Sequence, residues 1–175
     1  MKTTFYASLV LLTCMILAGA AEKNPFELSI VPESRNADSS SISLAKDSKR
    51  EFFVILTNKS DKSQPVFESW NSWGYQAISF QLILPSGEQK KISVKPQFFT
   101  RNFPSTYVIP PNGHQVFPIT LDDEWQGAPD FGKPGRTKIK LAAIYEVHES
   151  KESGEQKVWT GRIVSETLAV EVNHW

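Results

Sequence analysis

Side chains able to hold a ligand concentrate in residues 69–75 of the sequence, with one more tryptophan further along. The residues concerned are Trp70, Asn71, Trp73, Tyr75 and Trp125. Tryptophan rings stack on sugar faces, and a neighbouring amide can hydrogen-bond sugar hydroxyls, so this set predicts a carbohydrate platform. The alternative, usual for large aromatic side chains, is that these rings pack against the core. We expect core packing for Trp159, which falls within a strand-like segment.

A second aromatic group lies in residues 97–104, which hold three phenylalanines and one arginine in a loop-like context. The residues are Phe98, Phe99, Arg101 and Phe103. If the rings are exposed, they mark a surface for a partner protein. If they are buried, they close one end of the fold. An exposed loop such as 101–103 or 132–134 also leaves protease inhibition open.

Residues of the kinds used in metal binding and catalysis occur without the required spacing. The acidic run 122–124, with Asp130 nearby, lacks the alternating pattern of a calcium loop, so we expect a solvated turn. The histidines are far apart, and no metalloprotease or serine-hydrolase motif is present. Candidate acids for glycoside hydrolysis are Glu124, Glu146 and Glu149. Glycoside hydrolysis needs two carboxylates that face each other at a defined separation, and the sequence spacing of these residues does not indicate such a pair. We therefore expect no enzyme, and we also expect no metal and no cofactor.

Charge and composition exclude further classes. The 175 residues carry 19 Lys and Arg against 19 Asp and Glu, and the basic residues near 46–62 alternate with acidic ones. A nucleic-acid surface would need a net positive stripe, so we expect no nucleic-acid partner. A hydrophobic fraction of 40% argues against disorder and for a packed core.

The first twenty residues have the three zones of an export signal. Lys2 precedes an apolar run, and small residues end the segment. We expect residues 1–20 to be a signal peptide and 21–175 to be one domain without a membrane span after cleavage, located in the periplasm, at the cell surface or outside the cell. The only cysteine, Cys14, follows a threonine and sits inside the apolar run, so lipoprotein anchoring is not expected. Residues 58–60 form a glycosylation sequon that matters only in a eukaryotic source.

Alternating apolar and polar residues predict the elements that position these side chains. Strand-like segments recur at short intervals from residue 26 to residue 172, with proline and glycine between them. Residues 52–56 form a continuous apolar run, which predicts a central strand buried on both faces. Residues 85–88 predict the turn of a hairpin. No helical period extends over ten residues, so the pattern favours an antiparallel sandwich of about seven to nine strands.

Three stretches resemble exported bacterial immunoglobulin-like, or fibronectin III-like, β-sandwich domains. Residues 53–60 resemble the end of strand B in such domains, and residues 109–113 resemble the turn into strand E. Residues 134–145 and 158–165 resemble strands F and G. The family includes adhesive, scaffold and protease-inhibitor modules. The resemblance therefore implies an all-β, antiparallel immunoglobulin-like sandwich and leaves the function open.

The sequence thus predicts a non-catalytic exported module that binds through loops at the ends of a sandwich, namely 67–75, 95–105 and 122–133. The expected partner is a protein or a cell-surface glycan. A carbohydrate-binding module and a loop-based protease inhibitor are the two alternatives.

Overall fold

The computed structural model describes residues 24–35, 40–44, 51–131, 133 and 135–174. The expected signal peptide, with Cys14, lies outside the described residues. The described chain is mostly β, and every described strand pair but one is antiparallel. This confirms the all-β, antiparallel prediction.

The strands and helices of the described chain follow one another in this order. They are β1 Phe26–Val31, β2 Ser34–Arg35, β3 Ser40–Leu44, β4 Phe52–Asn58, β5 Gln64–Phe67, α1 Ser72–Tyr75, β6 Ile78–Ile83, β7 Gln89–Val94, β8 Thr106–Ile109, β9 His114–Ile119, β10 Trp125–Gln126, β11 Gly135–Val147, α2 Lys151–Glu155, β12 Gly161–Val164 and β13 Leu168–His174.

The strands form two sheets and a separate ribbon. The smaller sheet has the order β1-β4-β9. The larger follows β10-β7-β6-β11-β13-β3-β2, with β12 also paired to β11. The 13-residue β11 is long enough to pair with β12 near one end and β13 near the other. Strands β5 and β8 form a two-stranded ribbon, called the ribbon below.

The two sheets face each other across one apolar core. Phe52 of the small sheet lies 5.4 Å from Phe80 of the large sheet, measured between ring centroids. Phe117 lies 6.2 Å from Tyr145 in the same way. Full burial of such a side chain stabilises the fold by about 2–3 kcal/mol. The alternation of apolar and polar residues along each strand is therefore sufficient to determine which face of the sheet turns toward the core.

Local sequence signals place several elements correctly. The predicted hairpin turn joins β6 to β7, and the amide of Gly87 donates to the carbonyl of Leu84 at 2.9 Å. Gly87 has a φ of 86°, a conformation that glycine adopts without a Cβ penalty. The two helices have four and five residues.

Two local expectations are wrong. Strand β4 is central in its sheet, but it is not buried on both faces, because Phe53 remains 36% exposed on the outer side. Trp159 precedes β12 rather than lying within a strand. Its ring still packs on the core, 5.7 Å from Phe26 and 6.3 Å from Tyr145.

Candidate functional site

The ribbon carries two of the predicted loops at one of its ends. Segment 68–77 leaves β5 there, and segment 95–105 enters β8. The amide of Glu68 donates to the carbonyl of Ser105 at 3.1 Å, which extends the strand pairing by one step. Two loops that are distant in sequence therefore start from a shared, paired base.

Asn71 ties the two loops together from inside. Its side chain is fully buried. The amide oxygen accepts from the backbone N–H groups of Trp73 at 3.1 Å and Gly74 at 3.0 Å, which makes Asn71 the N-cap of α1. The amide nitrogen donates to the carbonyl of Ser105 at 3.0 Å and to its hydroxyl at 3.3 Å. Its hydrogen-bonding groups are thus engaged within the protein.

Glu68 fixes the orientation of Trp70. One carboxylate oxygen accepts a hydrogen bond from the indole N–H of Trp70 at 2.8 Å and another from the hydroxyl of Ser105. These two bonds, that of Ser105 first, lower the pKa of Glu68 below its ordinary value. The tryptophan ring is therefore held by its polar edge while part of its face remains exposed.

A third connection joins the tips of the loops. The amide of Ser72 donates to the side-chain oxygen of Asn102 at 3.0 Å. The side-chain nitrogen of Asn102 donates in return to the hydroxyl of Ser72 at 2.8 Å. Because both bonds involve groups near the surface, they fix the relative position of the loop tips rather than their packing on the core.

The braced loops display a group of aromatic rings, which we call the aromatic ledge: Trp70, Tyr75, Phe98, Phe99 and Phe103. Trp70 contacts Phe103 edge to face, with ring centroids 4.8 Å apart. Tyr75 contacts Phe99 in the same manner at 5.5 Å. Phe98 is 99% exposed, Phe103 57% and Trp70 43%. Trp70 and Phe103, which are in contact and both exposed, form an apolar patch of the kind found at interaction surfaces.

The remaining predicted tryptophans lie elsewhere. Trp73 packs on Phe67, with centroids 6.2 Å apart, and lines a cavity of about 370 Å³ together with Glu146 and His148. Trp125 packs on Phe80 at 5.4 Å. Each of the tryptophans proposed for a sugar platform thus has a different aromatic partner.

Arg101 lies exposed at the tip of segment 95–105, beside the braced Asn102. Of the other predicted inhibitor loop, only Lys133 is described, and it is exposed. The structure therefore places one candidate inhibitor loop next to the aromatic ledge, while Gly132 and Pro134 lie outside the described residues.

The acidic candidates are dispersed. The carboxylate of Asp122 accepts from the amide of Glu124 at 3.0 Å, a local turn bond. Glu146 lines the cavity beside Trp73, whereas Glu124 lines a different groove beside Tyr75. Within the described residues, no group of three or more His, Cys, Asp or Glu side chains is arranged to hold a metal ion.

The opposite end of the ribbon is built around Asn58, the asparagine of the sequon. This side chain is also fully buried. Its nitrogen donates to the carbonyls of Lys62 at 2.7 Å, Ile109 at 3.0 Å and Pro110 at 3.2 Å. Its oxygen accepts from the amide and hydroxyl of Ser60 at 3.0 and 2.7 Å. In the folded protein the Asn58 amide is inaccessible to a glycosylating enzyme.

Sequence reasoning did not select the residues that brace the ledge. Glu68, Asn102 and Ser105 fell within the predicted loops 67–75 and 95–105, and Asn102 within the candidate inhibitor loop, but none was assigned a bracing role. Asn71 was selected for a different role, as a ligand donor. A local signal for the capping role was present, since asparagine is a preferred residue before a first helical turn. The partner Ser105 had no such signal, because its contact with Asn71 spans 34 positions.

The chain matches no protein-family model and no curated protein sequence. Neither helix in the described part of the chain is long and apolar enough to cross a membrane.

Proposed function

We propose that this protein is a non-catalytic, exported binding module with an immunoglobulin-like sandwich of about seven to nine principal strands, and that it engages a partner protein through the aromatic ledge. One observation carries this proposal. Three large apolar side chains, Trp70, Phe98 and Phe103, remain exposed on loops braced by buried and charge-assisted hydrogen bonds.

The bracing supports binding because ordering a loop during association is costly. Each side chain immobilised at an interface costs about 0.5–1.5 kcal/mol. The bonds of Asn71, Glu68 and Asn102 order the frame before any partner arrives. Aromatic residues are also the residues that interface centres favour. The partner surface best suited to the ledge is an apolar pocket with a polar rim.

The test is capture from an extract of the source cells by immobilised protein. We expect the wild-type protein to retain a partner that the double variant Phe98→Ser, Phe103→Ser loses. The matched control is Val31→Ser, Val164→Ser, which removes two apolar side chains, each 42% exposed, that lie on β1 and β12 rather than on the ledge loops. Quantitative mass spectrometry measures retention. Equal retention by both double variants would reject the ledge as the binding surface.

Protease inhibition is a second proposal for the same loops. It is favoured by the position of Arg101, an exposed basic residue next to Asn102, whose two bonds to Ser72 hold the backbone in place. Titration against a panel of extracellular proteases tests it. An inhibitor would lose potency on Arg101→Ala, and absence of inhibition at micromolar protein would dispose of this proposal.

Carbohydrate binding has less support, because Trp73 and Trp125 pack on Phe67 and Phe80 rather than with Trp70. A glycan array with wild-type protein and Trp73→Ala separates this possibility from protein binding. Polysaccharide retention that depends on Trp73 would favour a glycan ligand.

A further inference from the structure

Strand β9 has a free edge. It pairs with β4 alone in the described part of the chain. The amide of Asn58 donates to the carbonyl of Gly113 at 2.9 Å. This bond determines which residues of β9 direct their backbone N–H and C=O groups toward β4. In an antiparallel pair the hydrogen-bonded residues alternate, so Gln115 and Phe117 bond to β4 while Val116 and Pro118 turn their backbone groups outward.

The outward groups are available to another strand. Within the described residues, no backbone hydrogen bond joins the outer edge of β9 to a further strand. Among residues 24–35, 40–44, 51–131, 133 and 135–174, the one bond to the carbonyl of Val116 on this side comes from the side chain of Gln115, at 3.3 Å. Pro118 has no N–H, so at this outward position it offers only its carbonyl, and Val116 is the outward residue of β9 that offers both a donor and an acceptor to an added strand. An edge of this kind is a template for strand addition.

A groove runs along this edge. It has a volume of about 430 Å³, and residues 115–120 all line it. The facing wall includes Tyr75, Ile78, Val94 and Trp125. Six residues of strand extend over about 20 Å, so the groove offers a peptide both a backbone edge and apolar surface for alternate side chains.

The groove is acidic at one end. Asp122 and Glu124 line it. The pKa of Tyr75 is raised mainly by burial and further by the negative charges of Glu124 and Asp122. The nearby ammonium group of Lys95 donates to the carbonyl of Asp123 instead. The two groove carboxylates therefore favour an occupant with a positive charge at this end.

We propose that the free edge of β9 accepts an extended peptide segment of a partner protein as an added strand, with apolar residues at alternate positions and a lysine or arginine opposite Asp122 and Glu124. A second copy of this chain fits less well. Its own β9, His114–Ile119, has no lysine or arginine. Antiparallel pairing of two such edges would set Asp122 and Glu124 of each copy near the start of the other's β9, where residues 109–114 offer no lysine or arginine. The groove shares Tyr75 with the aromatic ledge but none of Trp70, Phe98 and Phe103, the exposed rings on which the proposed function rests, so this inference does not depend on that function.

The probe is a synthetic octapeptide of alternating valine and threonine with a lysine at each end. We expect its titration into the purified protein to shift the amide resonance of Val116 more than amides of the inner residues of β4. A peptide with N-methylated backbone should not bind, because its pairing donors are gone. Replacing the lysines by glutamates should weaken binding about fivefold or more, the effect of about 1 kcal/mol of ion pairing.

Variants of the protein localise the site. Val116→Pro removes the outward donor, and Pro118 already occupies an equivalent outward position in the same strand, so we expect an intact fold and about tenfold weaker binding. Glu124→Gln should weaken binding about twofold to fivefold. Its matched control is Asp123→Asn, an exposed carboxylate on the same turn but outside the groove, which should leave binding unchanged.

Several outcomes would overturn the inference. They are absence of a Val116 shift at millimolar peptide, equal binding of the N-methylated peptide, and equal affinity of Val116→Pro and wild type. Concentration-dependent dimerisation that Val116→Pro abolishes would assign the edge to a second copy instead. The ledge variant Phe98→Ser, Phe103→Ser should bind the peptide normally, so the two proposals fail or succeed separately.

Discussion

The two ends of the ribbon are held in the same way and present different surfaces. At one end Asn58 is buried and bonds three carbonyls, and at the other Asn71 is buried and joins two loops. The Asn58 end displays Lys59, Asp61 and Lys62, all exposed and polar. The Asn71 end displays the aromatic ledge.

This contrast separates bracing from binding. A buried, fully bonded asparagine is needed wherever the backbone leaves a strand without regular partners, since unpaired buried polar groups are costly. The presence of such a residue therefore indicates that a loop is ordered, and it does not indicate that the loop binds a ligand. What distinguishes the Asn71 end is that its ordered loops expose apolar rings, 99% in the case of Phe98.

The largest effect we expect comes from replacing each asparagine by aspartate. At Asn58 the donor that serves three carbonyls would be lost and a carboxylate would face them, so Asn58→Asp should cost about 3–5 kcal/mol. At Asn71 the donor to one carbonyl, that of Ser105, would be lost, but the oxygen caps α1, a role that aspartate also fills, so Asn71→Asp should cost less, about 1–3 kcal/mol. Urea denaturation at neutral pH measures both. Equal losses would contradict the different roles assigned to the two side chains.

The next effect concerns a glycine at each end. A Cβ on Gly74 would overlap the backbone carbonyl of Glu68, which cannot move without disturbing the paired base, so Gly74→Ala should cost about 2–3 kcal/mol. A Cβ on Gly113 would lie 2.8 Å from ring atoms of Pro110 and 3.0 Å from its carbonyl oxygen, a milder overlap than at Gly74, so Gly113→Ala should cost about 1–2 kcal/mol. Gly154→Ala meets nothing within 4 Å and serves as the control. The account fails here if Gly74→Ala is as mild as Gly154→Ala.

A smaller effect lies between the two ends, in β8. The hydroxyl of Tyr107 is buried and has no hydrogen-bond partner among the described residues, and burial raises the pKa of Tyr107 far above its ordinary value. Tyr107→Phe removes an unsatisfied polar group, so it should stabilise the protein by about 1 kcal/mol. A loss of stability in thermal or urea unfolding would mean that the hydroxyl makes a useful bond.

The smallest effect is the pH response of the ledge frame. The pKa of Glu68 is lower in the folded protein than in the unfolded chain. Its stabilising bonds are therefore fully present above the ordinary glutamate pKa and are lost as the pH falls through the lowered folded value. We expect the indole N–H resonance of Trp70 to titrate with a midpoint below the ordinary glutamate pKa, and Glu68→Gln to abolish that transition. A Trp70 resonance unaffected by pH in the wild-type protein would refute the contact.

Local pattern accounts for what the sequence predicted well. Alternation identified β1 and β6, and the proline and glycine of residues 85–88 identified the hairpin turn between β6 and β7, because these signals depend on neighbouring residues. The same reasoning failed at Phe53, where a continuous apolar run predicted burial on both faces. Nothing in the run itself shows whether a second layer covers the outer face.

The frame of the candidate site depends on contacts between distant residues. Asn71 meets Ser105, and Asn58 meets Ile109, across 34 and 51 positions. The sequence placed Asn58 in a glycosylation sequon and Asn71 in a sugar site, since an asparagine amide has the same chemistry in each setting. Only the pairing of β5 with β8 determines that both amides turn inward and that Trp70 and Phe103 meet.

Photo-crosslinking from the two ends of the ribbon tests the central claim most directly. A benzophenone amino acid replaces Phe98 in one protein and Asp61, at the Asn58 end, in the other, and both are irradiated in an extract of the source cells. We expect one dominant protein adduct from position 98, competed by wild-type protein but not by Phe98→Ser, Phe103→Ser, and no matching adduct from position 61. The same adducts from both positions, or none from position 98, would contradict the aromatic ledge as the binding surface.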